Sequence, residues 1–325
     1  MARRELGPAS LAVLQAVAAA MTDDDRHVLV ACSGGADSLA LAFGAQRVGA
    51  RLGRPVGAAI VDHGLQPGST AVAARARDQL SSLGLAPVRV LTVQIDATDR
   101  SGPEGAARSA RYAALDAEAA ANHATVLLGH TLDDQAETVL LGLARGSGPR
   151  SLAGMAQRSG RLLRPLLGLR RSVTQQACRE LGLEPWTDPQ NDDRQFTRVR
   201  VRHTVLPVLE AELGPGIAEA LARTADLARD DADLLDQLAA AADPGTDTLD
   251  CAALLDLPAA LRTRVIRRWL LRHGVPEPTA VHVGMVAALV TAWRGQESVD
   301  LPRVRVLRQA GHLTIQPARD ESLKN

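Results

Sequence analysis

The chain has 325 residues, with 37 Lys and Arg against 37 Asp and Glu, a formal net charge of zero and 46% hydrophobic residues. That is enough for a real core in one large or two ordinary domains, and it argues against wholesale disorder and against a uniform polycation that coats nucleic acid. Lys324 is the single lysine, which excludes a Walker-type phosphate loop, a Schiff-base lysine and a lysine general base. The widely spaced Cys32, Cys178 and Cys251 give neither a disulfide framework nor a C-x-x-C metal or cluster site.

Along the chain, the alanine-rich stretch after Arg3 and Arg4 runs into Asp23-Asp24-Asp25 without a cleavage signal, and no apolar run reaches the roughly 18 residues of a membrane span. A cytoplasmic protein without a membrane segment is expected. His27–Ala31 reads as a strand and is followed by a helix from Asp37. Val56–Val61 is strand-like, with a helix over Ser69–Leu83. Val88–Ile95 is followed by a helix over Glu104–Asn122, and Thr125–Leu128 by one over Asp133–Ala144. Alternation at this spacing implies βαβ units: a Rossmann-like parallel sheet with helices on both faces, whose ligands bind beyond the carboxyl ends of the strands.

The second half changes character. Helical patterns cover Ile217–Leu238, Ala252–His273 and Val281–Trp293, and Val304–Leu307 with Leu313–Ile315 suggests a small hairpin. Leu213-Gly214-Pro215-Gly216 marks the boundary, so an α/β domain over 1–213 and a smaller, mainly helical domain over 214–325 are expected. Charge is segregated: residues 145–203 carry a net +7, 204–256 a net −10 and 257–276 a net +5. The first basic block offers contacts to an RNA backbone, and Arg262, Arg264, Arg267, Arg268 and Arg272 form a second candidate.

Ser33-Gly34-Gly35-Ala36-Asp37-Ser38 follows the first strand and opens a helix. The glycines let the backbone turn and approach an anion, the helix N-terminus holds phosphate, the two serines can donate hydrogen bonds, and Asp37 can hold Mg²⁺. A glycine turn capped by Ser and Asp accounts for the same letters without a ligand. At the end of the fourth strand, Gly129-His130-Thr131-Leu132-Asp133-Asp134-Gln135-Ala136-Glu137-Thr138 sets Asp133 and Glu137 at i, i+4 on one helix face. Carboxylates at a ligand-binding edge suit an ammonium group, although acids in a first helical turn also suit the helix dipole.

The Ser33–Ser38 loop resembles that of the N-type ATP pyrophosphatases, which split ATP between the α- and β-phosphates to adenylate a substrate. The Gly129–Thr138 block, together with Leu143-Ala144-Arg145-Gly146-Ser147-Gly148 and Val61-Asp62-His63-Gly64-Leu65, narrows the resemblance to the tRNA(Ile)-lysidine synthetase family. So do the run from Glu104 to Tyr112 with Arg108 and Arg111, Arg164-Pro165-Leu166-Leu167, and the run from Asp188 to His203 with Arg198, Arg200 and Arg202. Val199 stands where the family usually has Asn.

The resemblance makes 1–213 the ATP pyrophosphatase (adenylation) domain and 214–325 a tRNA-binding domain, and it implies ATP- and Mg²⁺-dependent adenylation of the wobble cytidine of a CAU-anticodon isoleucine tRNA. Free L-lysine then displaces AMP, and the tRNA changes from methionine to isoleucine specificity. It further implies that Ser33, Gly34, Gly35, Ala36, Asp37 and Ser38 hold the phosphates, that Asp37 binds Mg²⁺ and that Arg111 neutralises phosphate charge. By the same resemblance His130 assists positioning, and Asp133 and Glu137 hold lysine. Arg108, Arg145, Arg198, Arg200 and Arg202 contact phosphate or tRNA. Family members often dimerise, so a homodimer is one of the states it allows. A tRNA thiolase on the same fold is the alternative, and the absence of a C-x-x-C pair speaks against it.

Overall fold

Apolar strands alternating with amphipathic helices build the first part of this computed structural model, which describes residues 6–64, 68–94, 102–146, 148–295 and 298–318. Arg3, Arg4, Leu65, Ile95, Ser147, Lys324 and the side chain of Glu104, named above, lie outside the described residues. In chain order the elements are α1 (Pro8–Ala20), β1 (Val28–Ala31), α2 (Ala36–Leu52), β2 (Val56–Asp62), α3 (Ser69–Ser82), β3 (Val88–Thr92), α4 (Gly102–Ala121), β4 (Thr125–Leu128) and α5 (Leu132–Ala144). There follow α6 (Pro149–Leu152), β5 (Arg158–Ser159), β6 (Leu162–Leu163), α7 (Arg171–Leu181), α8 (Thr197–Arg200), a π-helical turn over Val201–Val205, α9 (Leu206–Leu213) and α10 (Ile217–Ala242). The last elements are β7 (Leu249–Asp250), α11 (Cys251–Asp256), α12 (Ala259–Arg272), α13 (Ala280–Thr291), β8 (Val299–Leu301), β9 (Val304–Gln309) and β10 (His312–Pro317).

Two units separate: the chain up to Ala144 with Gly154–Ala225, and Arg145–Ala153 with the chain from Asp226 onward. In the first, the sheet runs β3-β2-β1-β4-β6-β5, parallel except for β5. Ala31 is in register with Ala59 of β2 and Leu128 of β4, so the segments after β1, β2 and β4 emerge side by side at one sheet edge. Strand residues alternate between two cores. Val28, Val30, Ala58 and Ile60 pack with α1, α2 and α7, whereas Leu29, Ala59, Val126 and Leu128 pack with Leu115 and Ala119 of α4.

Two polar anchors fix the frame. Glu180 of α7 accepts from the N–H groups of Ala9 and Ser10 and from the Ser10 hydroxyl at 3.2, 2.8 and 2.7 Å, satisfying donors at the start of α1. Asp25, buried before β1, takes a bidentate pair from Arg158 at 3.0 and 2.7 Å and the Thr125 hydroxyl at 2.7 Å. Burial opposes ionisation there, but Arg158, the Thr22 N–H and Thr125 hold the carboxyl at about 2.

The second unit departs from expectation in two places. The single helix expected over Ala252–His273 is two, α11 and α12, because Pro258 forces Leu257 into extended backbone at ψ 140°. The tail hairpin is longer than expected and belongs to a four-stranded antiparallel sheet, β7-β10-β9-β8. Its apolar face packs on Trp269, Ile266 and Leu289. No helix among the described residues is long and apolar enough to cross a membrane.

Candidate active site

The chain leaves β1 at Ala31 and turns through Gly34, whose φ of +83° is the left-handed conformation that glycine adopts without strain. Gly35 precedes the first turn of α2, whose N–H groups have no helical acceptors and point at the strand ends. Ser38 staples this loop. Its hydroxyl donates to the Gly35 carbonyl at 2.9 Å and accepts from the Ser33 N–H at 3.2 Å. Gly129, after β4, lies against α2 so closely that a Cβ there would stand 3.1 Å from the Asp37 carbonyl and the Ser38 nitrogen.

Asp37, in the first turn of α2, accepts from the Thr174 hydroxyl and pairs with Arg171 Nε at 3.4 Å. Burial raises its carboxyl above the ordinary range, Thr174 and Arg171 oppose that rise, and nearby Asp134 adds to it. Arg171 joins Asp37 to the β4 motif, reaching Asp134 at 2.6 Å and Glu137 at 3.5 Å. Although burial works against its charge, the carboxylates of Asp134, Glu137 and Asp37 stabilise the guanidinium further.

The acids of the β4 motif divide. Asp134 closes one half of a capping box, accepting from the Thr131 N–H at 2.8 Å. Burial notwithstanding, Arg171 and Thr131 hold its carboxyl below the usual range. Asp133 accepts from the backbone N–H of Arg171 at 2.7 Å and pairs with Arg170 at 3.5 Å. Glu137 is fully buried among three guanidiniums, with Arg202 at 2.7 Å, Arg198 at 3.5 Å and Arg171 at 3.5 Å. Arg198 and Arg202 converge on it from consecutive turns of α8 and the π-helical turn. Val199 between them is buried, which an apolar residue satisfies without the partner that a buried amide would need.

These groups surround a cavity of about 680 Å³ at the carboxyl ends of β1, β2 and β4, within the range of small-molecule sites. Ser33, Gly35, Ala36, Asp37 and Ser38 line it, as do Arg108 and Arg111 of α4, His130, Asp134, Arg171, Arg198 and Arg202. Gly34 shapes the loop, while Asp133 and Glu137 stand behind the wall. Arg200 turns away to the carbonyls of Arg194 and Gln195, both at 2.8 Å, and Arg145 belongs to the second unit.

His130 is kept neutral near pH 7. Burial, opposed by Asp134 and reinforced by Arg164 and Arg108, pushes its imidazole down to about 4, and its buried Nδ1 has no hydrogen-bond partner. His63, also on the wall, is lowered by burial and by Arg111, while the Gly64 N–H and the Ser69 hydroxyl lower Asp62. Among the described residues no group of three or more His, Cys, Asp or Glu is arranged to hold a metal ion. The candidate RNA cluster on α12 is largely engaged within the second unit. Arg264 pairs with Asp236 at 2.9 Å, and Arg268 and Arg272 pair with Asp243 at 3.3 and 2.6 Å.

Sequence reasoning missed Arg171, Thr174 and Trp186. A signal existed for the first: Arg170 and Arg171 open α7, where the helix dipole disfavours cations, so an anionic partner opposite was required.

The family description of a PP-loop domain matches residues 10–209, and that of a TilS substrate binding domain matches residues 249–314. The tRNA(Ile)-lysidine synthase of Leifsonia xyli subsp. xyli is 55% identical over 299 residues, covering 89% of this chain and 90% of that one. That of Thermobifida fusca is 55% identical over 285 residues, covering 86% and 87%. Among solved structures, the U34-tRNA thiolase NcsA from Methanococcus maripaludis shares the fold, with a TM-score of 0.58 at 17% identity over 68% of this chain and 80% of that one. With its loop after β1, its motifs after β2 and β4, and this identity along most of its length, the chain belongs to the tRNA(Ile)-lysidine synthase family.

Proposed function

We propose that the protein ligates free L-lysine to the wobble cytidine of a CAU-anticodon isoleucine tRNA through an adenylated cytidine, converting the tRNA from methionine to isoleucine specificity. One observation carries this reading. A single cavity joins a backbone anion cradle at the start of α2 to arginines on α4 and to an acid-braced arginine wall after β4. The cradle fits a polyphosphate chain, since helix N–H groups and a close-approaching glycine turn favour phosphate. Mg²⁺ fits beside it, because Asp37 is the carboxylate at the cradle and hard cations take carboxylate and phosphate oxygens together. When bound there, it supplies charge neutralisation and a fixed geometry for the phosphates.

In the first step the cytidine O2 bonds to the α-phosphorus of ATP and pyrophosphate leaves. The α2 N-terminus and Arg111 stabilise the charge that develops on the departing phosphates. In the second, the lysine ε-amine bonds to carbon 2 and the C–O bond to AMP breaks. His130, neutral at this pH, takes a proton that the attacking nitrogen sheds. We assign the lysine amines to the acidic end of the cavity. Asp134 makes the contact, and Asp133 and Glu137 act through the arginines that they hold.

The test is single-turnover pyrophosphate release from ATP with CAU isoleucine tRNA, Mg²⁺ and no lysine. The wild-type protein should release about one equivalent, and Asp37→Ala should release at least about a hundredfold more slowly. Release that requires lysine from the outset would contradict the two-step order.

A further inference from the structure

Two aromatic side chains lie on the cavity wall, Tyr112 and Trp186. The Tyr112 ring is covered, with the Arg108 guanidinium 4.9 Å from its centroid. Trp186 is half-buried, and among the described residues nothing stacks on its indole or hydrogen-bonds to it. The chain holds 3 Trp, 1 Tyr and 2 Phe in 325 residues, so an indole left open toward a cavity is a costly use of a scarce side chain. Its position is fixed. The Trp186 backbone N–H donates to the carbonyl of Gly34 at 2.9 Å, and its Cβ lies 3.9 Å from where a Gly34 Cβ would stand. The platform is thus bolted to the turn of the phosphate cradle.

A planar ring presented beside phosphates suits a nucleobase, and stacking on an aromatic face is how proteins hold single-stranded bases. Two bases enter the proposed reaction. The adenine of ATP is separated from the α-phosphorus by its ribose, whereas the base that is adenylated must touch the α-phosphorus directly. A platform attached to the cradle therefore favours the second. We propose that Trp186 is the stacking platform for the unpaired RNA base that is adenylated, and that it fixes the face on which this base meets the phosphates. This assignment rests on the proposed function.

The test measures equilibrium binding to the full chain, in the presence of a non-hydrolysable ATP analogue, of an anticodon stem-loop with the wobble base present or replaced by an abasic site. Trp186→Ala should weaken the intact stem-loop about tenfold, and the abasic loop should weaken wild-type binding by a similar factor. Combining the two should cost no more than either alone. Trp186→Phe should restore most of the loss, and affinity for the ATP analogue should stay unchanged in all variants. Additive losses, or a loss of nucleotide affinity in place of RNA affinity, would overturn the proposal. So would an abasic loop that binds the wild-type chain as well as the intact one, a result that needs no variant to fold. Because the readout is binding, its failure leaves lysine ligation standing, and failure of ligation leaves the coupling measurable.

Discussion

Glu137 acts on the cavity without lining it. Fully buried, it aims Arg202 by charge-assisted hydrogen bonds and Arg198 by an ion pair at 3.5 Å, and a buried carboxylate with three guanidiniums in reach is held in place by the cost of exposing any one of them unpaired. His130 shows the opposite use of burial, which strips a titratable group of charge. Its native imidazole titrates at about 4, whereas an unfolded one titrates near 6.5, so between these values the unfolded chain binds the extra proton. Stability is therefore unaffected by His130 above about pH 6.5 and declines as pH falls toward 4, by up to about 3 kcal/mol. Denaturant unfolding of wild type and His130→Gln across this range should show a gap that shifts in favour of the variant as pH falls. Parallel pH profiles would contradict the assigned neutral state.

Among the elements, α2 and α7 decide the site. The start of α2 is pinned on one side by β4, through the close approach of Gly129, and on the other by α7, through Thr174 and Arg171. Gly129→Ala inserts a Cβ 3.1 Å from three backbone atoms of α2, which must shift by a few tenths of an ångström to admit it. We expect a loss of about 1–3 kcal/mol in thermal unfolding together with a raised KM for ATP. An unchanged KM in a stably folded variant would show that the cradle tolerates displacement. The strands and helices of the sheet were legible because burial on two faces writes long apolar runs, and the cradle because only glycine and small polar residues suit its turn. Arg171 and Thr174 were not, since their meaning lies in Asp37, more than 130 residues away in sequence, and no local period encodes that meeting. Pro258 was readable as a break, yet the helical pattern on either side of it obscured the stop.

At the scale of the whole molecule, the neutral charge balance conceals blocks that serve different ends. In the second unit, acids of the chain from Asp226 to Asp243 and the basic α12 neutralise each other, through Asp236 with Arg264 and through Asp243 with Arg268 and Arg272. The arginines of the first unit instead converge on a cavity, where carboxylates fix their direction without cancelling their purpose. Family membership and cavity chemistry meet in one claim, that lysine is joined to a CAU-anticodon isoleucine tRNA. Incubating the protein with ATP, Mg²⁺ and radiolabelled lysine, with either that tRNA or a methionine tRNA of the same anticodon, tests it directly. ATP-dependent label should enter the isoleucine tRNA, be lost when cytidine 34 is replaced by uridine, and be slight in the methionine tRNA; no label in the isoleucine tRNA would contradict lysine ligation.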